Sequence, residues 1–133
     1  MRRERGIHIL LDMEGVDPQI LDDSIFLMNL IDKTVRDSGL KSFGTLYHKF
    51  YPQGFTSVTL LSASHISIHT WPEYGYIAAD IFACDDIEKA LKAAEILIKE
   101  LKPKRVKRVI KRRGFIFKGY LVENEDGVSH REG

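Results

Sequence analysis

Between Lys41 and Ala83 the sequence carries four strand-like runs joined only by short turns, and this spacing limits the fold more than any other feature. The runs are Lys41 to Phe50, Ser57 to Leu61, His65 to Trp71 and Tyr76 to Ala83, rich in β-branched and aromatic residues. Tyr51-Pro52-Gln53-Gly54, the Ser62-Ala63-Ser64 kink and Pro72-Glu73-Tyr74-Gly75 separate them. Parallel neighbours need a crossover of about a dozen residues or more, so turns this short imply antiparallel pairing.

Around this block the pattern changes period. Ile7 to Asp12 reads as a strand ended by Gly15-Val16-Asp17-Pro18. Asp23 or Ser24 then caps a helix whose apolar positions Phe26, Leu27, Leu30, Ile31, Thr34 and Val35 follow the three-four spacing to Ser38-Gly39. Asp85 or Asp86 caps a second helix, with Ile87, Ala90, Leu91, Ala94, Ile96, Leu97 and Leu101 on its apolar side and Pro103 closing it. Phe115 to Val122 suits another strand, and Glu123 to Gly133 reads as a flexible polar tail. The fold class expected is therefore α+β, an antiparallel sheet with two main helices on one face. The other sheet face of so small a domain needs cover, which predicts a homodimer, two protomers forming an αββα sandwich.

Charge and length exclude some partners. At 133 residues and 44% apolar, the chain supports one domain, residues 1–133. A formal net charge of +1 supplies no global field for nucleic acid or for an anionic membrane. Residues 104–113 hold seven basic residues in ten, but Val106, Val109 and Ile110 between them suit an edge strand with cationic gatekeepers better than a nucleic-acid contact. The sequence has neither an apolar run near twenty residues nor a signal-peptide core, so the reading is a cytoplasmic protein with no membrane partner. Cys84 has no cysteine to pair with and is either a buried hydrophobe or a working thiol.

Polar chemistry concentrates in "LLSASHISIHTWPEYGY", residues 60–76. Alternation puts His65, Ser67, His69 and Trp71 on one face of a strand and Ile66, Ile68 and Thr70 on the other. His65 and His69 are then about 13 Å apart, too far to share an ion, and no metal is expected. Ser64 sits in no nucleophile elbow, which argues against a serine triad.

The contiguous words "LYHKFYPQGFTSVTLLS", "SHISIHTWPEYGY" and "AADIFACDD" resemble the prokaryotic S-adenosylmethionine decarboxylase proenzymes, small pyruvoyl-dependent enzymes of polyamine synthesis, from the first strand to about Arg113. The resemblance implies self-cleavage at Ala63-Ser64 into a β chain, 1–63, and an α chain, 64–133, with Ser64 becoming a covalent pyruvoyl group that forms a Schiff base with the substrate amine. It implies Ser64 as nucleophile, Thr56 as hydroxyl donor, His69 as base and Cys84 as proton donor. It also implies Phe50 stacking on the adenine of S-adenosylmethionine and Glu73 accepting hydrogen bonds from its ribose. Tyr74, Tyr76, Phe43 and Tyr47 are further aromatic candidates for the sulfonium.

Three positions depart from the family pattern. Thr56 stands where serine is usual, Ala63 where glutamate usually precedes the cleavage serine, and "FACDD" where "TCG" commonly ends the strand. The acyl shift uses only the backbone carbonyl of residue 63, so alanine leaves the chemistry available. Two other readings stay open on the residues: a pyruvoyl arginine or ornithine decarboxylase on the same scaffold, and an unprocessed binding homologue.

Overall fold

The computed structural model describes residues 3–84, 86–115, 120–124 and 129–132. Chain order is β1 (Arg3–Glu14), α1 (Pro18–Leu21), α2 (Ser24–Ser38), β2 (Ser42–Lys49), β3 (Phe55–Leu61), β4 (Ser64–Trp71), β5 (Tyr76–Ala83), α3 (Ile87–Leu101), β6 (Arg105–Phe115), β7 (Tyr120–Asn124) and β8 (Ser129–Glu132). The strands form one antiparallel sheet in the order β2-β3-β4-β5-β1-β6-β7-β8. The short turns put β2 to β5 side by side, as their spacing predicts. β1 enters between β5 and β6 and is thereby paired along both edges.

Helix α2 begins where Asp23 accepts the Phe26 N–H at 3.0 Å and ends at Gly39, which takes a left-handed φ of 85°. Its buried stripe is Leu27, Leu30, Ile31 and Thr34. Helix α3 buries Ala90, Ala93, Ala94, Leu97 and Leu101 against β1 and β5, the small alanines letting it lie close to the sheet. Arg108 on β6 donates to Glu95 of α3 at 2.6 Å and ties the two together.

Both helices cover the sheet face that carries Ile7, Ile9, Leu11 and Met13 of β1, Ile66 and Ile68 of β4, and Ile77 and Ile81 of β5, all buried. The opposite face is open. Leu46, Leu60 and Val58 on it are 82%, 57% and 46% exposed, a large apolar area for the surface of a monomer. Among the described residues no helix is long and apolar enough to cross a membrane.

Several local details differ from the sequence reading. β1 is longer than Ile7 to Asp12, because its charged ends pair with β6 as far as Arg3 with Phe115 and Glu14 with Arg105. The turn before α2 contains one helical turn, α1, started by Pro18 and capped by the Asp17 carboxylate on the Gln19 N–H. Asp86 occupies the N-cap of α3 but caps nothing with its side chain; it is left-handed, and its carboxylate lies 3.7 Å from the Lys89 ammonium. Asp85 lies outside the described residues. Ile87 is 40% exposed instead of facing the core. β6 is a strand but not the edge, since Val109 to Lys111 pair with β7. Within the segment read as a polar tail, Glu123 and Asn124 end β7 and Ser129–Glu132 form β8, its hydrogen-bonded neighbour.

Candidate active site

Ser64 is the first residue of β4 and holds a φ of 139°, a conformation that a side chain makes costly by roughly 1–3 kcal/mol. The pairs Leu61–Ser64 and Ser64–Ala83 fix it from both sides. The same register sets Cys84 just beyond the end of β5. Its N–H donates to the Ala63 carbonyl oxygen at 2.8 Å, and its Sγ lies 3.4 Å from Ser64 Oγ. One donor thus already polarises the carbonyl that a Ser64 attack would use. Cys84 is exposed, which decides against the reading of a buried hydrophobe. Gly6 of β1 makes this crowding possible: a Cβ there would meet the Ala83 carbonyl oxygen at 2.6 Å and Cys84 Cα at 3.2 Å.

Thr56 and His69 face each other across β3 and β4, with Thr56 Oγ1 3.2 Å from His69 Nδ1. They are not beside Ser64. His69 is five positions along β4 from Ser64, roughly 16 Å of strand, well beyond the reach of an imidazole. Phe50 and Glu73 are further off still, at the opposite end of the sheet. Phe50 follows β2, is 46% exposed and meets His48 edge to face at 4.6 Å between ring centroids. Its turn is held by Asp22, which pairs with Lys49 at 2.7 Å and accepts the Gly54 N–H at 2.9 Å; these contacts, Lys49 first, pull the Asp22 carboxyl below its ordinary range. Glu73 lies exposed in the turn after β4. One chain therefore gathers Ala63, Ser64 and Cys84 at one end of the sheet, and Thr56, His69, Phe50 and Glu73 elsewhere.

Between these groups lies a cluster the sequence reading does not name. Asp80 of β5 accepts His8 at 2.6 Å and His65 at 2.9 Å on one carboxylate oxygen and a short hydrogen bond from Ser67 on the other. Arg113 donates to His8 Nδ1 at 3.2 Å, which leaves the His8 proton on Nε2, pointed at Asp80. Burial pushes the Asp80 carboxyl up, but the hydrogen bonds from Ser67, His8 and His65 outweigh it and hold the group below its ordinary range. The ligand atoms of His8, His65 and Asp80 lie within 4.8 Å of one another, close enough to surround a cation, although here they satisfy each other as donors and acceptor. Alternation along β5 puts Asp80 on the face of His65, and that signal is readable; its pairing with His8, 72 residues away, is not. A second open-face pair joins Tyr76 to Asp12. Burial first, then the Asp12 hydrogen bond, pushes the Tyr76 phenol up to about 12.

Ser64 thus combines a positive φ, a preceding carbonyl that is already hydrogen-bonded and a thiol at its oxygen, and the proteins this chain is similar to are decarboxylase proenzymes. The chain belongs to the S-adenosylmethionine decarboxylase family, whose model matches residues 7–114. It is 43% identical over 116 residues to the S-adenosylmethionine decarboxylase proenzyme of Persephonella marina, covering 87% of each chain. With the corresponding proenzyme of Aquifex aeolicus it shares 38% identity over 132 residues, 99% of this chain and 93% of the other. The crystal structure of the Aquifex aeolicus adenosylmethionine decarboxylase superposes with a TM-score of 0.82 at 38% identity, over 87% of this chain and 96% of that one.

Proposed function

We propose that the chain cleaves itself between Ala63 and Ser64 and that the product decarboxylates S-adenosylmethionine in the cytoplasm, supplying the aminopropyl donor for spermidine. The observation that carries this reading is the Ser64 geometry in a member of this family: positive φ, a polarised carbonyl and a neighbouring thiol. Ser64 Oγ attacks the Ala63 carbonyl carbon, and the Cys84 N–H takes up the charge that develops on its oxygen. Collapse with loss of the amide nitrogen leaves an ester. Removal of the Ser64 Cα proton by an imidazole expels the Ala63 carboxylate, and water then replaces the nitrogen at residue 64 by oxygen with loss of ammonia. The resulting pyruvoyl ketone supplies the carbonyl that accepts the electrons released with carbon dioxide. Cys84 Sγ, 3.4 Å from the Ser64 oxygen, is positioned to return a proton to the substrate carbon.

We assign the imidazole to His69, and its distance from Ser64 within one chain supports its coming from a second copy. Within one chain His69 and Thr56 lie roughly 16 Å of strand from Ser64. The open face carries both groups and an apolar area that needs cover. A two-fold axis laying two open faces together brings the Ser64 end of one sheet towards the Thr56, His69, Phe50 and Glu73 region of the other. Phe50 then stacks on the adenine and Glu73 accepts from the ribose, both contributed across the interface.

The test is a panel of carboxyl-labelled substrates offered to the processed protein. The reading predicts labelled carbon dioxide from S-adenosylmethionine and none from arginine or ornithine. Faster release from either amino acid overturns it.

A further inference from the structure

Self-cleavage creates a mechanical problem at residue 64. Before cleavage Ser64 is held covalently on both sides; afterwards it is a chain terminus without an N–H, and strand termini fray unless something ties them down. The first backbone donor left on that end of β4 belongs to His65, and its side chain is anchored: His65 Nε2 lies 2.9 Å from Asp80. Asp80 is held in turn by His8 at 2.6 Å from β1 and by Ser67 two residues further along β4. The anchor therefore spans three adjacent strands and ends one residue from the reacting position. Neither metal binding nor substrate contact is needed to account for it.

We propose that Asp80 is a positioning residue: through His65 it clamps the cleaved terminus of β4 so that the ketone carbon at residue 64 keeps its place beside Cys84. This rests on the pyruvoyl reading above. Its consequence is selective. In the uncleaved chain the peptide bond to Ala63 already fixes residue 64, so loss of the clamp leaves self-cleavage nearly intact. In the mature enzyme the clamp decides where the proton goes. Delivered to the substrate carbon, and followed by hydrolysis, it gives amine product and a regenerated ketone. Delivered to the carbon of residue 64, followed by hydrolysis, it leaves the amino nitrogen there as an alanine terminus and releases the substrate remnant as an aldehyde. That enzyme is dead, and its α chain opens to Edman sequencing.

Asp80→Leu removes the acceptor, His65→Phe keeps a ring but removes the donor, and Asp80→Asn keeps one acceptor oxygen. Both of the first two are expected to cleave at Ala63-Ser64 within about threefold of the parent rate, yet to accumulate alanine-ended α chains on the order of tenfold faster per carbon dioxide released, the scale of one charge-assisted hydrogen bond. Asp80→Asn should fall between them and the parent. Independently of any substrate, amide exchange at His65 and Ile66 in the cleaved protein should be about tenfold faster in Asp80→Leu and His65→Phe than in the parent. Should Asp80→Leu not fold, His65→Phe carries the comparison. Unchanged partition and unchanged exchange in variants that fold and cleave overturn the clamp. If the parent itself releases no carbon dioxide from S-adenosylmethionine, the substrate reading fails and the exchange measurement alone decides the clamp.

Discussion

Gly6→Ala tests whether the crowding at the end of β5 matters for the chemistry. Gly6 has no Cβ, and β1 passes so close to β5 that an added one would sit 2.6 Å from the Ala83 carbonyl oxygen, 3.1 Å from the Phe82 ring and 3.2 Å from Cys84 Cα. Two of these three neighbours are backbone, so the strain cannot be relieved by a side-chain rotation alone. β1 or the end of β5 must move by several tenths of an ångström. Overpacking of this kind costs about 1–3 kcal/mol, which shifts the urea midpoint by roughly 0.5–1.5 M at a slope near 2 kcal/mol/M. The displacement falls on the residues that hold the Ala63 carbonyl at 2.8 Å and the Ser64 hydroxyl at 3.4 Å. Loss of one oxyanion donor costs on the order of a hundredfold in rate, so partial misalignment should slow self-cleavage by about tenfold or more. Urea unfolding gives the first quantity, and the fraction of 15.3 kDa chain remaining on a denaturing gel over time gives the second. A variant that cleaves at the parent rate with an unshifted midpoint would refute both the close approach and its role in holding the carbonyl.

Leu60→Glu puts a charge at a 57% exposed position on the open face, and light scattering should then report a monomer where the parent is expected to give a dimer; a dimer retained at micromolar concentration counts against open-face pairing. Co-expressed Ser64→Ala and His69→Ala chains should complement, because in a mixed dimer the intact Ser64 faces the intact His69; cleavage of neither variant in the mixture would mean that the base acts within its own chain. Tyr76 contributes stability that is present below pH 10 and lost as pH rises towards its folded-state value of about 12, since its neutral form is the one the fold favours. Tyr76→Phe should flatten the fall in melting temperature over that window, and an unchanged alkaline slope would contradict the half-buried Tyr76–Asp12 pair.

What the sequence made legible was local. The alternation that puts Ile66, Ile68 and Thr70 inward and His65, Ser67, His69 and Trp71 on the other face is a period-two pattern within one strand, and burial follows it except at Ser67, which Asp80 covers. Asp23 and Gly39 mark the ends of α2 for equally local reasons. Two of the failures share one physical cause, dependence on a distant partner. β1 extends to Arg3 only because β6 lies beside it, and the His8–Asp80–His65 cluster joins three strands whose order no local pattern encodes. Asp86 has the right residue type for a cap, but its left-handed backbone turns the carboxylate away from the helix N–H groups, a feature no composition rule carries. The candidate site was likewise legible as residue types and opaque as geometry. Ser64 and His69 are five positions apart in the sequence, and it is the extended strand that makes that spacing a separation.

The central claim is that this chain makes its own ketone at residue 64, and intact-mass analysis of the purified protein tests it most directly. The account predicts two fragments, residues 1–63 ending in a free carboxylate and residues 64–133 carrying a pyruvoyl terminus that resists Edman sequencing, with Ser64→Ala remaining whole. A single unmodified chain of 133 residues after prolonged incubation would contradict it.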